Sequence, residues 1–228
     1  MMKIGIICAS DEELAPILSA IDYGKTSVTA MLKIHEGQIG GADVVAVFSG
    51  VCKVNAAIAA QILVDHFGVT AIINSGTAGA IDNKLHLFDT VVATECCYHD
   101  VAQDILTEFH PWMKTAFFES SPYLLERSNI AVERLGLSNV FFGRMATGET
   151  FITDEGRAKI IRDFAPLSVD METAGIAHVC YANSIPFLSI RCITDTAEHS
   201  GVEQFGENCA KASAIAARLV IEIIQNIP

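Results

Sequence analysis

The stretch Val169-Asp170-Met171-Glu172-Thr173-Ala174 joins a predicted buried strand, residues 167–171, directly to a predicted apolar helix, residues 173–182. A strand that passes straight into a helix leaves few side chains at its tip, and Glu172 is one of them. The free amides and the positive dipole end of a helix stabilise a carboxylate, so Glu172 can stay ionised while partly buried. Because glutamate is a poor N-cap residue, a purely structural role is the weaker interpretation, and Glu172 is a candidate functional residue.

The composition predicts one globular domain over residues 1–228, since 51% of the 228 residues are hydrophobic. A net charge of −12, with no basic stripe to offset it, argues against nucleic acid or an anionic membrane as a partner. Residues 1–10 are too short an apolar run for a signal peptide. No uncharged stretch approaches the roughly 20 residues of a membrane span, so we expect a cytoplasmic protein.

The seven cysteines are an odd number and show no CxxC spacing, which is typical of reduced core thiols rather than disulfides or a zinc site. His99-Asp100 could be a pair of metal ligands, but no third ligand stands at helical spacing and an HExxH motif is absent. We therefore expect no metal ion and no cofactor.

A second candidate acid follows the first predicted strand, residues 3–9. Ser10 and Glu13 have the spacing of a capping box, in which Glu13 would serve only the helix. A helix capped at Ser10, however, would place Pro16 at its sixth position, where proline removes a needed amide, whereas a start nearer Glu13 avoids this loss. Both a capping role and a functional role for Glu13 stay open at this point.

Hydrophobic periodicity and turn residues predict the remaining elements. The predicted strands are residues 28–36, 43–49, 69–74, 89–98, 140–147 and 187–194, and the predicted helices are residues 54–67, 123–135, 154–164 and 207–225. A turn at residues 37–41 would join the first two of these strands. The strand at residues 69–74 is predicted to end in residues 75–80, whose small side chains would let a ligand approach the backbone, with Thr77 offering a hydroxyl. A tight turn uses the same residues, so both interpretations stay open. Residues 101–122 are predicted to be irregular and, with their aromatic side chains, to form a lid or a subunit interface.

Strands that alternate with helices predict an α/β domain with a largely parallel sheet, helices on both faces and an antiparallel part at residues 28–49. Ligands of such sheets bind beyond the carboxyl ends of the strands. Those ends carry Glu13, Thr77, Phe151-Ile152, Glu172 and Asp195.

Three acids at one edge, without a catalytic Ser/His pair, a metal cluster or a GxGxxG motif, indicate acid and base chemistry with water on an uncharged or cationic small molecule. A glycosidic bond suits this chemistry. One carboxyl group protonates the leaving group, another activates water, and carboxylates favour an oxocarbenium-like transition state.

Seven motifs together make the chain resemble the 5′-methylthioadenosine/S-adenosylhomocysteine nucleosidases of the purine nucleoside phosphorylase superfamily over nearly its whole length. They are Lys3-Ile4-Gly5-Ile6-Ile7, Ser49-Gly50-Val51, Asn74-Ser75-Gly76-Thr77-Ala78-Gly79, Tyr98-His99-Asp100, Gly148-Glu149-Thr150-Phe151-Ile152, Val169-Asp170-Met171-Glu172 and Arg191-Cys192-Ile193-Thr194-Asp195. The resemblance implies a three-layer αβα fold with a mixed, partly barrel-like sheet. It also implies hydrolysis of methylthioadenosine, adenosylhomocysteine and 5′-deoxyadenosine to adenine and a sugar, in methionine salvage and the activated methyl cycle.

The resemblance further implies a role for each site residue. Glu13 would be the base for the attacking water, Asp195 the acid at purine N7, and Glu172 the partner of the ribose hydroxyls. The other implied site residues bind substrate or water: Arg191 and Thr77 at the water, Phe151 and Ile152 at adenine, and Met171, Val51, Phe205 and Ala78 along the ribose and base. The family is a homodimer whose neighbouring subunit closes the 5′ pocket, which here would involve residues 105–109 and Pro111-Trp112.

The chain departs from the family pattern at positions beside the site. Cys8, Ser10, Cys52 and Ala80 stand where Gly, Met, Gly and Gly are usual, and residues 101–103 also differ. The three acids are unchanged. The departures affect the shape of the pocket, so the sequence does not decide which of methylthioadenosine, adenosylhomocysteine, 5′-deoxyadenosine and aminodeoxyfutalosine is preferred.

Two other functions compete with this interpretation. A purine nucleoside phosphorylase needs cationic groups for phosphate at the first strand tip, where this chain has Asp11, Glu12 and Glu13, so phosphate would be repelled. A nucleoside-binding protein without catalysis would share the fold, but the intact acids at all three strand tips argue against it.

Overall fold

The computed structural model describes residues 2–109, 113–152, 154–196 and 202–227. The elements in chain order are β1 (Ile4–Cys8), α1 (Asp11–Leu18), β2 (Asp22–Thr29), β3 (Leu32–Ile39), β4 (Ala42–Phe48), α2 (Lys53–Phe67), β5 (Ala71–Ala80), β6 (Thr90–Tyr98), α3 (Gln103–Glu108), β7 (Phe117–Glu119), α4 (Pro122–Leu135), β8 (Val140–Thr147), α5 (Asp154–Phe164), β9 (Ser168–Asp170), α6 (Thr173–Asn183), β10 (Phe187–Asp195) and α7 (Val202–Gln225). None of the described helices is both long enough and apolar enough to cross a bilayer.

The centre of the fold is a closed ring of five strands. They follow one another in the order β10, β6, β8, β9 and β5, and β5 closes the ring by pairing with β10. From β5 the sheet continues outward through β1, β4, β3 and β2, and the short β7 pairs with β6. Because β1 is parallel to β4 and β5 while β2, β3 and β4 are antiparallel, the sheet is mixed. The predicted mixed, partly barrel-like sheet is confirmed.

Helices cover both faces of this sheet. Alternate residues of a strand point to opposite faces, and accordingly Ile7 and Ile72 belong to one core cluster while Ile6 and Ile73 belong to the other. Helices α2 and α6 pack over the first cluster, and α1, α4 and α7 over the second. The predicted three-layer αβα architecture is therefore confirmed.

The prediction of one strand at residues 28–36 is wrong, and the turn predicted at residues 37–41 is shorter than expected. Strands β2 and β3 form a hairpin whose turn lies at Ala30 and Met31, with φ values of 49° and 68°. Two-residue hairpin turns of this kind usually carry Gly or Asn, so Ala and Met gave no signal for a turn. Gly37 lies inside β3, and the next turn is made by Gly40 and Gly41, both with positive φ.

The predicted strand end at residue 74 is also wrong, because residues 75–80 form the second half of β5 rather than a turn. Small residues are not typical of strands, but β10, β1 and β9 all pair with β5 and hold it extended. Residues 101–122 were predicted to be irregular, and this prediction is wrong for α3 and β7, which both lie in this range. The final helix begins at Val202 rather than at residue 207.

Helix α1 begins at Asp11 and is capped by Ser10, whose Oγ accepts a hydrogen bond of 3.2 Å from the Glu13 amide. Pro16 lies inside this helix, so the start nearer Glu13 that Pro16 suggested is not observed. The proline removes one amide, and the short helix is retained by its cap and by the burial of Leu14 and Ile17.

Candidate active site

One pocket lies at the carboxyl ends of β1, β5 and β10 and beside the start of α6. All of the site residues expected from the sequence line it. They are Glu13, Val51, Thr77, Ala78, Phe151, Ile152, Met171, Glu172, Arg191, Asp195 and Phe205. The closed ring of strands and the first helix thus bring together side chains from both ends of the sequence, from Glu13 to Phe205.

The Glu13 carboxylate is held by three hydrogen bonds on two sides. Its Oε2 accepts 2.7 Å from the Ala9 amide, and its Oε1 accepts 2.8 Å from the Thr77 amide and 2.7 Å from Thr77 Oγ1. The side chain is 3% exposed and does not reach back to Ser10, so the capping box is half formed. Glu13 therefore faces the pocket from the start of α1 with its orientation fixed.

The glycines of β5 make room for two of the acids. A Cβ at Gly76 would lie 2.5 Å from Glu13 Oε1, and one at Gly79 would lie 2.8 Å from Asp195 Oδ2. Both distances are shorter than carbon and oxygen tolerate without a bond. The small residues that we expected to admit a ligand thus admit the acid side chains themselves.

Arg191 lies at the centre of the acids and is 1% exposed. Its Nη1 is 3.8 Å from Glu13 Oε1, its Nη2 is 3.2 Å from Glu172 Oε2, and its Nε is 3.4 Å from Asp170 Oδ2. Burial acts to lower the pKa of Arg191, but Asp170, Glu172 and Glu13 together raise it above its ordinary value. One buried cation is therefore shared among three carboxylates, and its planar fork sets their relative positions.

Glu172 occupies the N-cap position of α6, as the sequence predicts, but its side chain does not cap the helix. Instead its Oε1 accepts 3.0 Å from the Cys52 amide, and its Oε2 pairs with Arg191. Burial raises the pKa of Glu172 to about 7, against the opposing effect of the Arg191 charge. The raised pKa runs against the ionised state that the sequence suggested for this acid, and Glu172 lines the pocket rather than capping α6.

Asp170 performs the capping that Glu172 does not. Its Oδ1 accepts hydrogen bonds from the amides of Glu172 (3.2 Å) and Thr173 (3.1 Å) and from Thr147 Oγ1 (2.6 Å), while Thr173 Oγ1 donates to its Oδ2. Asp170 was not among the site residues expected from the sequence. The available signal was that aspartate is a strong N-cap residue, here in an otherwise apolar run at the start of a helix.

Asp195 closes β10 next to a register shift between Ile193 and Asp195. Such bulges redirect side chains, and here Asp195 points into the pocket with 6% of its surface exposed. Burial raises the pKa of Asp195, although a 2.9 Å hydrogen bond from Thr194 Oγ1 and the charge of Arg157 act in the opposite direction. A carboxyl group in this state can hold a proton at a higher pH than a free aspartate.

Six pocket residues were not selected from the sequence. They are Ala9, Gly79, Thr150, Val169, Asp170 and Thr194. Most are small or apolar residues that contribute backbone or surface rather than a distinctive functional group. Residue type does not mark Ala9, Thr150, Val169 or Thr194 as part of a site, whereas Gly79 lies in the small-residue stretch 75–80 and Asp170 carries an N-cap signal.

The remaining predictions about the site concern metal ligands and the 5′ pocket. In the part of the chain that the structure describes, no three His, Cys, Asp or Glu side chains gather as metal ligands would. Asp100 is bound by Lys53 Nζ at 2.8 Å and 2.9 Å. Of the expected 5′ pocket, Ile105 is 54% exposed and Phe109 is 78% exposed, while Pro111-Trp112 lies outside the described residues.

Comparison with known proteins gives consistent matches over the whole chain. A family model described as the phosphorylase superfamily matches residues 3–225. A 5′-methylthioadenosine/S-adenosylhomocysteine nucleosidase from Shewanella denitrificans is 34% identical over 233 residues, covering 99% of this chain and 100% of that protein.

Two solved structures of nucleosidases with the same name are similar in fold and sequence. The one from S. pneumoniae, with a transition-state inhibitor, has a TM-score of 0.89 and 33% identity, covering 98% of this chain and 99% of that chain. The one from Colwellia psychrerythraea, in complex with adenine, has a TM-score of 0.88 and 34% identity, covering 98% of this chain and 94% of that chain.

Proposed function

The chain belongs to the 5′-methylthioadenosine/S-adenosylhomocysteine nucleosidases of the phosphorylase superfamily, and we propose that it hydrolyses the N-glycosidic bond of these two nucleosides. Adenine and the 5-thioribose product are released, and 5′-deoxyadenosine is a further substrate. The observation that carries the proposal is the gathering of Glu13, Glu172 and Asp195 in one pocket, with the buried Arg191 next to the first two. The cellular role would be methionine salvage and the activated methyl cycle.

Glu13 is the general base of the proposed reaction. As the water oxygen bonds to C1′ of the ribose, Glu13 accepts the proton that the water loses. The hydrogen bonds from Ala9 and Thr77 keep the carboxylate aimed at the pocket, and Arg191 lies beside the oxygen that Thr77 binds. Carboxyl groups around C1′ also favour the oxocarbenium character that develops there.

Asp195 is the general acid. The electrons of the C1′–N9 bond pass to the adenine ring, and Asp195 supplies the proton that N7 takes up, so that adenine leaves as a neutral molecule. The raised pKa of Asp195 supports this assignment because a carboxyl group must still carry its proton when the substrate binds.

The remaining pocket residues bind the substrate. Glu172 accepts hydrogen bonds from the ribose hydroxyls. Phe151, which is 36% exposed at the pocket mouth, stacks on adenine, and the backbone of Ile152 meets its polar edge. Met171, Val51 and Phe205 line the ribose and base, and Ala78 leaves room between them.

Water rather than phosphate is the proposed nucleophile. Among the described lining residues, Arg191 is the one cation, and three carboxylates already share it. A phosphate dianion entering this pocket would meet like charges at short range.

An adenine-release assay with methylthioadenosine in phosphate-free buffer tests the proposal. We expect release at full rate and a reducing 5-thioribose product, with no change when phosphate is added. A strict requirement for phosphate, with a ribose 1-phosphate product, would assign the chain to the phosphorylases. Adenosylhomocysteine, 5′-deoxyadenosine and aminodeoxyfutalosine in the same assay rank the 5′ preference.

We further propose a cytoplasmic homodimer in which the neighbouring subunit completes the 5′ pocket. Val54 and Ile58 on α2 and the pocket residue Val51 just before it form an exposed apolar patch, with exposed fractions of 67%, 46% and 48%. Exposed apolar residues at helical spacing are typical of a protein interface. The free thiols of all seven cysteines fit a reducing compartment.

A further inference from the structure

Three charged side chains meet at the rim of the pocket and form what we call the Lys53 cluster, which consists of Lys53, Asp100 and Glu149. Lys53 Nζ binds both oxygens of Asp100, at 2.8 Å and 2.9 Å, and lies 3.9 Å from Glu149 Oε1. Two backbone hydrogen bonds complete it: the Lys53 amide donates to Glu149 Oε1 at 3.1 Å, and the Glu149 amide donates to Asp100 Oδ2 at 2.9 Å.

The charges of the cluster are well defined. Burial acts to raise the pKa of Asp100, but the hydrogen bonds from Lys53 and from the Glu149 amide hold it below its usual value. The Lys53 ammonium also lies 5.1 Å from the centre of the Tyr98 ring, a position that favours a cation. Asp100 is therefore a carboxylate, and each of its two oxygens is occupied by a donor.

The cluster joins three segments that are distant in the sequence. Lys53 begins α2, Asp100 follows β6, and Glu149 follows β8. Two of these segments lead within two residues to parts of the pocket, since Val51 precedes Lys53 by two residues and Thr150 directly follows Glu149.

One of those parts is the backbone amide that holds Glu172. Cys52 has φ 85° and ψ 158°, a conformation that non-glycine residues rarely adopt, and its amide donates to Glu172 Oε1. The next residue is Lys53, whose own amide is fixed on Glu149. A strained conformation persists only where its surroundings hold it, and here the amides of Cys52 and Lys53 are bound by Glu172 and Glu149.

The other part is the segment that meets the base. Thr150, Phe151 and Ile152 line the pocket and directly follow Glu149. Both the side chain and the amide of Glu149 are bound within the cluster, so the position of Glu149, where the segment 150–152 begins, is fixed. The distance between this segment and Glu172 is thus set through Lys53.

We propose that Lys53 and Asp100 are positioning residues that set substrate affinity, by holding the base-contacting segment 150–152 and the ribose-contacting Glu172 in register. The cluster touches neither Glu13 nor Asp195. Its loss should therefore weaken binding of the nucleoside much more than it slows the chemical step. This proposal rests on the proposed function, because affinity is read out with the nucleoside that the site is proposed to cleave.

A purely structural role predicts a different result. The side chains of Lys53 and Asp100 are 18% and 28% exposed, and partly exposed ion pairs contribute little to global stability. A structural ion pair of this kind would lower the unfolding temperature slightly and leave the Michaelis constant unchanged. A positioning role predicts instead a raised Michaelis constant with little change in the unfolding temperature.

The test is a double-mutant cycle with Lys53→Met, Asp100→Asn and the combined variant, measured as KM and kcat for methylthioadenosine and as calorimetric Kd for adenine. We expect each single variant to raise KM by about 10-fold, and the combined variant to raise it no further, because two residues that act as one unit are not additive. In all three variants kcat should stay near the parent value. Lys159→Met is the matched control, since it breaks an ion pair of 2.9 Å with Asp163 on the exposed face of α5 and should leave both constants unchanged.

Three results would overturn the proposal: unchanged KM in both single variants, effects that multiply in the combined variant, or a loss of kcat at constant KM. If Lys53→Met does not fold, Asp100→Asn decides alone, because it keeps the size of the side chain and an acceptor for the Glu149 amide. A parent enzyme that releases no adenine refutes the proposed function, whereas an active parent with insensitive variants refutes only the role of the cluster.

Discussion

Arg191 organises the candidate site at the scale of single residues. A guanidinium that is shared among Glu13, Asp170 and Glu172 cannot neutralise all of them, so the site keeps negative charge next to the place where the ribose would become positive. Asp195 has no such contact with Arg191 and is instead bound by Thr194. The acids therefore differ in environment, which lets them differ in protonation.

Asp195→Asn should lower kcat for methylthioadenosine by at least about 10²-fold while KM changes far less, since a positioned acid contributes mainly in the transition state. Asparagine keeps the size and can still bind adenine, but it has no acidic proton for N7. Steady-state kinetics over a range of pH measures both constants. A variant with kcat within about threefold of the parent would place the acid elsewhere.

Glu172→Gln should remove turnover and also change how stability depends on pH. Burial raises the pKa of Glu172 to about 7, so in the folded protein it keeps a proton that the unfolded chain loses above its ordinary pKa of about 4.3. The free energy of unfolding of the parent therefore falls as the pH rises through this window. Glutamine does not titrate, so the variant lacks this pH-dependent loss. The free energy of unfolding of the variant minus that of the parent should therefore increase from about pH 5 to about pH 8, as measured by urea unfolding. Equal pH dependence in the two proteins would contradict the assignment.

Strand β5 is the element on which the geometry of the acids depends. Its pairing with β10 places Gly76 opposite Arg191 and Gly79 opposite Asp195. The sequence indicated small residues here, but it could not show that they belong to a strand, because small side chains are poor strand formers and the pairing that holds them extended is long-range. The same limit applies to the β2–β3 hairpin, whose turn residues are not typical of a turn.

Gly79→Ala should lower kcat by about 10–100-fold, because the added Cβ would displace Asp195 Oδ2, and small displacements of a catalytic group have effects of this size. The fold should be retained. Gly206→Ala in α7 is the control, since its Cβ would meet nothing within 4 Å and activity should be unchanged. Full activity in the Gly79 variant would show that Asp195 can move without loss.

For the whole molecule, the layers and the positions of the acids could be predicted from the sequence, because both follow from hydrophobic periodicity and from side chains at strand ends. What could not be predicted is how the acids contact one another. The capping role of Asp170, for example, depends on where Thr147 and Arg191 are placed by other strands. Such long-range relations are set by the closed ring of strands, which no local pattern encodes.

The proposed homodimer makes a prediction at this scale. Val54→Glu should convert a dimeric protein to a monomer and raise KM for methylthioadenosine, because a buried charge opposes association and the 5′ pocket would lack the partner. Ile161→Glu is the control, since Ile161 is 43% exposed on α5, a different helix. Light scattering after gel filtration gives the mass. A parent protein that is monomeric at about micromolar concentration would contradict the dimer.

The proposed reaction depends on attack at C1′ by water that Glu13 activates, and comparing Glu13→Gln with Glu12→Gln in single-turnover release of adenine from methylthioadenosine tests this step. Glu12 lies beside Glu13 in the same helix turn, but it is exposed and does not line the pocket. We predict that Glu13→Gln slows adenine release by at least about 10²-fold while adenine still binds, and that Glu12→Gln leaves it unchanged. Release at the parent rate by Glu13→Gln would contradict the account.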